Sequence, residues 1–300
     1  MLKQLLSIVR FIWLHPLSQS HRMLAILAFV RWQLGSRLLG KKVVVPWVDN
    51  TRLLTGPGET GLTGNLYCGL MEYEDMLFLL HALHPDETFV DIGANAGAYT
   101  VLASGVVGSP SIAFEPLSET VDRLKDQVHL NRIHDRVSVR NLGLSDKPGE
   151  LFFTNNSDTM NKVSLLAMNH QTEKVKVTTL DNELDTDRTY FFKLDVEGFE
   201  HQVLAGGIGI FASNRTSALI IELNGSGEEF GHSNAEIHHK LLSLQFQSVS
   251  YDPIGRLLTK MNDYNRRGGN TIYVKNFEQM ANRCKTAPKR CIHTANDICL

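Results

Sequence analysis

Two carboxylates 24 residues apart stand where they could hold a nucleoside: Asp91 lies just before a glycine-rich turn, and Glu115 ends the apolar segment PSIAFEP. A carboxylate at a strand tip can accept two hydrogen bonds from the vicinal hydroxyls of a ribose, which is the chemistry expected of Glu115. The negative charge of Asp91 repels phosphates but suits a cationic sulfonium or an amino group. Together they predict a nucleoside-binding crevice.

The turn between them, DIGANAG, carries Gly93, Asn95 and Gly97. Gly93 permits a tight turn, and Gly97 allows a helix and a ligand to approach closely. A dinucleotide fingerprint requires glycine at the second motif position, where this chain has Asn95. Binding of a diphosphate is therefore disfavoured.

A second charged motif follows the apolar run YFF: Lys193, Asp195 and Glu197 alternate along KLDVE, and His201 lies one helical turn beyond Glu197. Strand alternation places the first three on one face. Charged groups at such a place are costly unless they pair or meet a ligand, so they form either a mutual ion-pair cluster or a proton acceptor for chemistry. Glu222, which closes ALIIEL, could join Asp195 in binding a divalent cation, and a metal stays an open question.

The elements that position these residues alternate along the chain. A strand over 88–92, a helix from about residue 96, a strand in PSIAFEP and a helix in SETVDRLKDQVHLN predict right-handed crossovers in a doubly wound, mostly parallel α/β sheet. Residues 149–180 are expected to form an antiparallel excursion or a long loop over one sheet edge. Acceptor-binding loops are expected at 155–172 and 224–236.

The N-terminal 40 residues have apolar positions at helical spacing, divided by Pro16 into two amphipathic segments. They predict a helical cap on the main domain or, alternatively, a surface that docks on a membrane or a partner protein. The apolar run 23–30 is far too short to cross a bilayer. The expected organisation is a cap with short strands over 1–55, a main domain over 56–276 and a C-terminal tail over 277–300.

The charge balance excludes a chain-wide field, because 30 Lys and Arg nearly cancel 32 Asp and Glu. A nucleic-acid partner is therefore not expected. The four cysteines include no CxxC pair, which favours a reduced, cytoplasmic chain, and the tail residues Cys284, Cys291, His293 and Cys299 match no usual zinc spacing. The sequence does not indicate an oligomeric state.

Several motifs taken together resemble a known family. The segments FVDIGANAGAYT, AFEP, NLGLSD and FFKLDVEGFEHQVLAG are similar to those of FkbM-type methyltransferases, a branch of the class I S-adenosylmethionine-dependent enzymes. The resemblance runs from about Gly56 to Val274. It implies a Rossmann-like, seven-stranded sheet and transfer of a methyl group to an oxygen of a sugar, another glycan or a small hydroxylated metabolite.

The resemblance also implies roles for individual residues. Asp91, Gly93 and Gly97 would border the methionine part of the cofactor, Glu115 would hold its ribose, and Ser145 and Asp146 would lie beside the adenine. Asn95 and Asp195 complete the predicted cofactor-binding set. The predicted catalytic residues are Lys193, Asp195, Glu197 and His201. Two other functions stay open: a nicotinamide-dependent oxidoreductase, which shares the early strand, turn and Glu115, and a non-catalytic binding module.

Overall fold

The computed structural model of the chain describes residues 2–154, 162–164, 172–294 and 296–300. The helices are α1 (Leu2–Leu14), α2 (Arg22–Leu39), α3 (Thr60–Cys68), α4 (Tyr73–Ala82), α5 (Ala98–Val101, continued by π-helical turns over Leu102–Val107), α6 (Ser118–Leu130), α7 (Leu180–Glu183), α8 (Glu200–Gly206), α9 (Ile208–Ala212), α10 (Asn234–Ser243) and α11 (Phe277–Thr286), with short 3₁₀ turns at Pro16–Ser18 and Ser226–Phe230.

Within the part of the chain that the structure describes, the strands form one large sheet and three small ones. They are β1 (Val43–Pro46), β2 (Arg52–Thr55), β3 (Thr88–Ile92), β4 (Ser111–Phe114), β5 (Val137–Arg140), β6 (Gly143–Leu144), β7 (Gly149–Thr154), β8 (Val163–Ser164), β9 (Thr172–Thr178), β10 (Tyr190–Leu194), β11 (Thr216–Glu222), β12 (Gln247–Asp252), β13 (Leu257–Lys260), β14 (Asn270–Val274), β15 (Cys291–Ile292) and β16 (Ile298–Cys299).

The large sheet has the strand order β13-β12-β14-β11-β10-β3-β4-β5. Strands β5, β4, β3, β10 and β11 are parallel neighbours, β14 runs antiparallel to β11 and to β12, and β13 is antiparallel to β12. The α/β, doubly wound and mostly parallel architecture is therefore present. The large sheet has eight strands and not the expected seven, because the chain after β12 turns back and adds β13 at the edge.

The central strands β3 and β10 are buried along their whole length, as both faces of a parallel sheet are covered by helices. Alternate residues contribute to two different cores: Phe89 and Phe191 pack on one side, and Val90 and Phe192 pack on the other. This burial holds the strand ends rigidly. The functional side chains that follow each strand are therefore fixed in position.

The strands β6, β7, β8 and β9 lie outside the large sheet and form a four-stranded sheet of order β6-β9-β7-β8. Strand β7 is antiparallel to both β8 and β9, which confirms the expected antiparallel excursion. The predicted acceptor loop over 155–172 lies almost entirely outside the described residues.

The two N-terminal helices lie on either side of Pro16 and pack against α3. Ile12 of α1 and Phe29 of α2 are buried with Tyr67 and Cys68, and the rings of Phe29 and Tyr67 meet edge to face at 5.0 Å. Among the described residues, no helix is long and apolar enough to cross a bilayer.

The C-terminal segment is folded onto the main domain, and it changes the expectation of a reduced chain. Met280, Cys284 and Ile292 belong to the same core as the sheet residues, so the core continues across the expected boundary at 276/277.

Cys291 and Cys299 form a disulfide that closes the β15–β16 hairpin. Cysteine spacing alone did not indicate this bond, because the hairpin brings the two residues together. It also removes them from any zinc site in the tail.

Candidate active site

The glycine-rich turn after β3 is built around a close backbone approach. Gly93 has a φ of 79°, and a Cβ at this position would lie 1.8 Å from the carbonyl oxygen of Asp195. The turn after β3 and the turn after β10 are therefore pressed together so closely that only glycine fits. Gly97 has a φ of 87°, and a Cβ there would lie 2.2 Å from Leu124 of α6. Asn95, between them, has a positive φ of 47°.

Asp91 lies at the bottom of the site. Its side chain is buried, and one carboxylate oxygen accepts a hydrogen bond from the Thr100 hydroxyl at 2.6 Å. Burial raises the pKa of Asp91 to about 6, although the Thr100 bond and the charge of Lys193 act in the opposite direction. Asp91 is therefore mainly anionic at neutral pH and adds negative charge deep in the site.

Glu115, at the end of β4, is held by two backbone N–H groups. Its carboxylate oxygens accept from the N–H of Asn95 at 2.9 Å and of Leu117 at 3.1 Å. Burial raises the pKa of Glu115 to about 7, against the effect of these bonds. A carboxylate oxygen has two acceptor sites, so each oxygen that takes one N–H keeps capacity for a ligand hydroxyl.

Lys193 is the buried cation of the site. It lies beside Asp91 in the β3–β10 register, and its ammonium donates to Asp195 at 3.0 Å and to the side-chain oxygen of Asn270 at 3.1 Å. Burial alone would lower the pKa of Lys193, but the carboxylates of Asp195 and Glu72 outweigh it and raise the pKa. Lys193 is therefore charged and occupies one oxygen of Asp195.

Polar residues from distant parts of the chain surround Lys193, and the sequence did not indicate that they would meet there. The amide of Asn270 donates to Glu72 at 2.9 Å and to Asp75 at 3.0 Å, and the hydroxyl of Tyr99 donates to Glu72. Burial, with Glu72 nearby, raises the pKa of Asp75 to about 7. The only signal was the group of three acids in MEYED at the start of α4, which by itself is typical of a helix N-terminus.

Three carboxylates lie close together in the cavity: one oxygen from each of Asp195, Glu197 and Glu222 lies within 4.8 Å of the others. Burial and the charge of Asp195 raise the pKa of Glu197 to about 7, and the same two causes raise that of Glu222. Like charges so close oppose one another's ionisation, so Glu197 and Glu222 keep their protons to a higher pH than ordinary carboxyl groups. Oxygen donors of this kind suit a divalent cation, but Lys193 already neutralises part of their charge.

The loop that carries Glu197 is strained and braced. Glu197 has a φ of 53°, in the left-handed region that a side chain disfavours. The buried carboxylate of Glu200 accepts from the N–H groups of Val196 and Gly198 at 3.2 and 3.1 Å, which fixes the turn on both sides of Glu197. Glu197 is thus held toward the cavity by its neighbours.

These side chains surround a cavity of about 290 Å³ at the carboxyl ends of the parallel strands. Of the predicted site residues, the structure places the following around it: Asp91, Gly93, Asn95, Gly97, Glu115, Lys193, Asp195 and Glu197. Glu222, Glu72 and Tyr99 join them.

Three predicted residues are not among those that line the cavity. His201 stacks on His232 with ring centroids 3.5 Å apart, and burial together with His232 lowers its pKa. The Ser145 hydroxyl donates to Asp146 at 3.0 Å, and the Ser145 N–H donates to Thr178 in the small sheet. Asp146 itself is exposed. His201, Ser145 and Asp146 therefore do not line the cavity. The predicted contacts of Ser145 and Asp146 with adenine stay predictions.

The sheet order, the glycine turn and the cavity at the strand ends define a Rossmann-like α/β protein, with the cavity at the place where such sheets bind nucleoside-type ligands. A family model, the methyltransferase FkbM domain, matches residues 91–248, which is more than half of the chain. The chain therefore belongs to the FkbM methyltransferase family and is an S-adenosylmethionine-dependent methyltransferase.

Similar solved structures resemble the chain only distantly. An rRNA methylase from Streptococcus thermophilus is 13% identical, with 67% of this chain and 93% of that chain covered and a TM-score of 0.37. A protein described as a methyltransferase, SMU.1697c of Streptococcus mutans in complex with SAH, is 14% identical, with 67% and 96% covered and a TM-score of 0.38. A precorrin-6y C5,15-methyltransferase from Geobacter metallireducens is 9% identical, with 68% and 88% covered and a TM-score of 0.39. The search of the curated proteins found no match.

Proposed function

We propose that the protein methylates an oxygen of a sugar or another small hydroxylated metabolite. The observation that carries this proposal is the cluster of Asp195, Glu197 and Glu222, which opens onto the same cavity as the glycine turn. Carboxylates accept hydrogen bonds from hydroxyl groups and can remove their protons. The resemblance to FkbM-type enzymes supports the same type of acceptor.

The residues around the glycine turn fit the cofactor. Gly93 and Gly97 leave space where a Cβ would obstruct, and Glu115 keeps acceptor capacity for ribose hydroxyls. Asp91 supplies a negative charge that favours a sulfonium over a phosphate. S-adenosylmethionine, when bound, supplies an activated methyl group. The same charge distribution disfavours the nicotinamide-dependent alternative, as Asn95 does.

The proton acceptor that we propose is Glu197, with Glu222 sharing its proton. A hydroxyl is a weak nucleophile until its proton is removed, and a base whose pKa lies near 7 serves best at neutral pH. The pKa of Glu197 is raised to about 7. Asp195, expected from the sequence as an equal candidate, instead holds Lys193 at 3.0 Å and so positions charge in the cavity. His201 keeps no part in this proposal, because it stacks on His232 and does not line the cavity.

Single amide substitutions test this assignment. We expect Glu197→Gln and Glu222→Gln to lower kcat by about 100-fold or more, the usual contribution of a general base, with the affinity for S-adenosylhomocysteine nearly unchanged. The acid limb of the pH–kcat profile near 7 should disappear in Glu197→Gln. The control is Glu150→Gln, an exposed carboxylate paired with Lys174 away from the cavity. Unchanged turnover in both cavity variants would remove these residues from the mechanism.

A screen for the acceptor tests the reaction itself. The purified protein is incubated with isotopically methyl-labelled S-adenosylmethionine and panels of sugars, small hydroxylated metabolites and RNA, and the product is located by mass spectrometry and NMR. We expect the label on an oxygen of a sugar or a small metabolite. Transfer to RNA, or to nitrogen or carbon, would overturn the proposal. Binding of S-adenosylhomocysteine without any transfer would instead favour the binding-module alternative.

We also propose a cytoplasmic location, where S-adenosylmethionine is available to the enzyme. Fractionation of cells that express the tagged protein tests this proposal. The redox state of Cys291 and Cys299 reports on the compartment, because disulfides are rare in the cytosol. Alkylation of the native protein before reduction shows whether the two cysteines are bonded in the cell. Recovery of the protein from an oxidising compartment would contradict the proposal.

A further inference from the structure

The two N-terminal helices expose an unusual amount of apolar surface. Among the described residues, 18 large hydrophobic side chains are exposed, and 12 of them lie between residues 5 and 38. They are Leu5, Leu6, Ile8, Phe11, Trp13 and Leu14 of α1 and Met23, Leu24, Leu27, Val30, Leu34 and Leu38 of α2. Scattered exposed hydrophobics are ordinary, but such concentration in one small part of a surface marks an interaction site.

Helix α2 has two apolar faces. One face, with Ala25 and Phe29, is buried together with residues of α3. The exposed residues Met23, Leu27, Val30, Leu34 and Leu38 follow one another at intervals of three or four, so they form a stripe on the other side of the helix. Leu38 is 86% exposed and Met23 is 71% exposed, so the fold itself covers little of this stripe.

The charges of this region have a single sign. The first 48 residues contain seven Lys and Arg and no Asp or Glu, whereas the remaining residues hold 23 basic and all 32 acidic side chains. On α2, Arg31 and Arg37 fall on opposite sides of the apolar stripe by helical spacing. The Arg22 guanidinium lies 5.2 Å from the ring centre of Trp13, which joins a cation to an exposed aromatic side chain.

Exposed apolar side chains together with positive charge favour one type of binding partner for this surface. A second copy of the chain, placed face to face by a two-fold axis, would bring two positively charged helix pairs together, and like charges oppose such contact. A bilayer with anionic lipids buries the apolar stripe and attracts the basic residues at the same time. Exposed tryptophan is typical of side chains at the boundary between lipid and water.

We propose that helices α1 and α2 dock in the plane of an anionic phospholipid membrane surface. The position of the helices relates this surface to the catalytic cavity: α2 packs on α3 through Phe29 and Tyr67, and Gly61 and Leu62 of α3 line the cavity. Helix α3 therefore links the docking surface to one wall of the cavity. This inference concerns where the enzyme works, and it does not depend on the identity of the methyl acceptor.

Vesicle co-sedimentation of the full chain tests the proposal. The probes are vesicles of phosphatidylcholine alone and of phosphatidylcholine with 30% phosphatidylglycerol, a content of about one charged lipid in three. Three variants are compared: an apolar triple, Leu27→Gln, Leu34→Gln and Leu38→Gln; a charge pair, Arg31→Gln and Arg37→Gln; and a matched control, Ile254→Gln and Leu257→Gln. The control residues are exposed hydrophobics in the β12–β13 hairpin, 77% and 53% accessible.

We expect the wild type and the control to bind anionic vesicles and to bind neutral vesicles much more weakly. The apolar triple should lose about tenfold or more in binding, and the charge pair should lose about tenfold on anionic vesicles. Circular dichroism and affinity for S-adenosylhomocysteine show that each variant is folded. The fluorescence of Trp13 should shift to the blue on binding, and Trp13→Phe should remove most of this shift.

Three results would overturn the proposal. The first is that wild-type protein stays in solution with anionic vesicles, in which case the surface serves a protein partner. The second is that the apolar triple and the control bind equally well. The third is sedimentation velocity showing a dimer that the apolar triple converts to a monomer, together with no vesicle binding; this would identify a second copy as the occupant.

Discussion

The two walls of the catalytic cavity are built by different physical means. On the wall formed after β3 and β4, backbone atoms dominate: Gly93 lets two turns touch, and N–H groups hold the carboxylate of Glu115. On the wall formed after β10 and β11, side chains dominate, and Lys193 balances several carboxylates that repel one another. The first wall is therefore defined by shape and the second by charge.

This difference separates binding from chemistry. A wall defined by backbone contacts tolerates almost no change of volume, so we expect substitutions there to remove cofactor binding altogether. A wall defined by coupled titrations responds in a graded way to pH and to single charges.

The largest effect is expected from Gly93→Ala. The added Cβ would lie 1.8 Å from the Asp195 carbonyl oxygen, so the backbone of one turn must move. We expect a loss of stability of about 3 kcal/mol and no measurable affinity for S-adenosylhomocysteine by calorimetry.

Gly108→Ala is the matched control for Gly93→Ala. Gly108 has a similar φ of 87°, but nothing lies within 4 Å of its added Cβ. It should therefore cost only about 1 kcal/mol of backbone strain and leave binding intact. Equal losses in the two variants would mean that φ, and not the contact between the turns, decides the requirement for glycine.

The next largest effect is expected from Lys193→Met. Removing a buried cation leaves its carboxylate partners uncompensated, and we expect a loss of about 3 kcal/mol in denaturant unfolding, at the low end for buried pairs because Asp195 is 30% exposed. Adding Asp195→Asn to Lys193→Met should recover part of this loss. Strict additivity of the two substitutions would show that their interaction contributes nothing.

A smaller, graded effect is expected when the pH is changed. The folded-state pKa is raised to about 7 for Asp75, Glu115 and Glu197 and to about 6 for Asp91. Between the ordinary carboxyl pKa and about 7, the native state binds more protons than the unfolded state, so stability falls as the pH rises through this window. Thermal melts of the ligand-free protein should show a higher Tm at pH 5.5 than at pH 8.

Glu197→Gln provides the check on the pH prediction. Because the amide does not titrate, this variant should show a shallower decrease in Tm over the same pH range. A Tm that rises toward pH 8 in the wild type would contradict the raised pKa values.

The smallest effect is expected from removing divalent cations. Lys193 already donates to Asp195, and Glu197 carries part of a proton near pH 7, so the cluster does not require a metal to balance its charge. Treatment with EDTA should therefore change kcat by less than about twofold, whereas a true metal-activated nucleophile would lose nearly all activity. Restoration of a large loss by Mg²⁺ or Mn²⁺ would place a cation among the three carboxylates.

The sequence predicted those features that depend on local pattern. Strands such as β3 and β10 are short apolar runs followed by polar motifs, and consecutive parallel strands end at the same edge of a sheet. Asp91, Glu115 and Lys193 could therefore be expected around one crevice before the structure was known. The antiparallel excursion after β6 followed in the same way from its polar, broken pattern.

Features that depend on distant segments could not be predicted. Glu72 and Asn270 are 198 residues apart in the chain and meet only through the folded sheet. The disulfide between Cys291 and Cys299 depends on a short hairpin that no periodicity indicates. The strand β6, which leads into Ser145 and Asp146, belongs to the four-stranded sheet, and its pairing with the distant β9 is another feature that no local pattern indicates.

The contact between Gly93 and the Asp195 carbonyl has a consequence for engineering new specificities. Loops that surround a cavity are commonly exchanged between relatives one at a time, on the view that each is an independent module. Here the two turns share a backbone surface with no spare volume, so a transplanted segment after β10 should work only when the turn after β3 comes from the same donor.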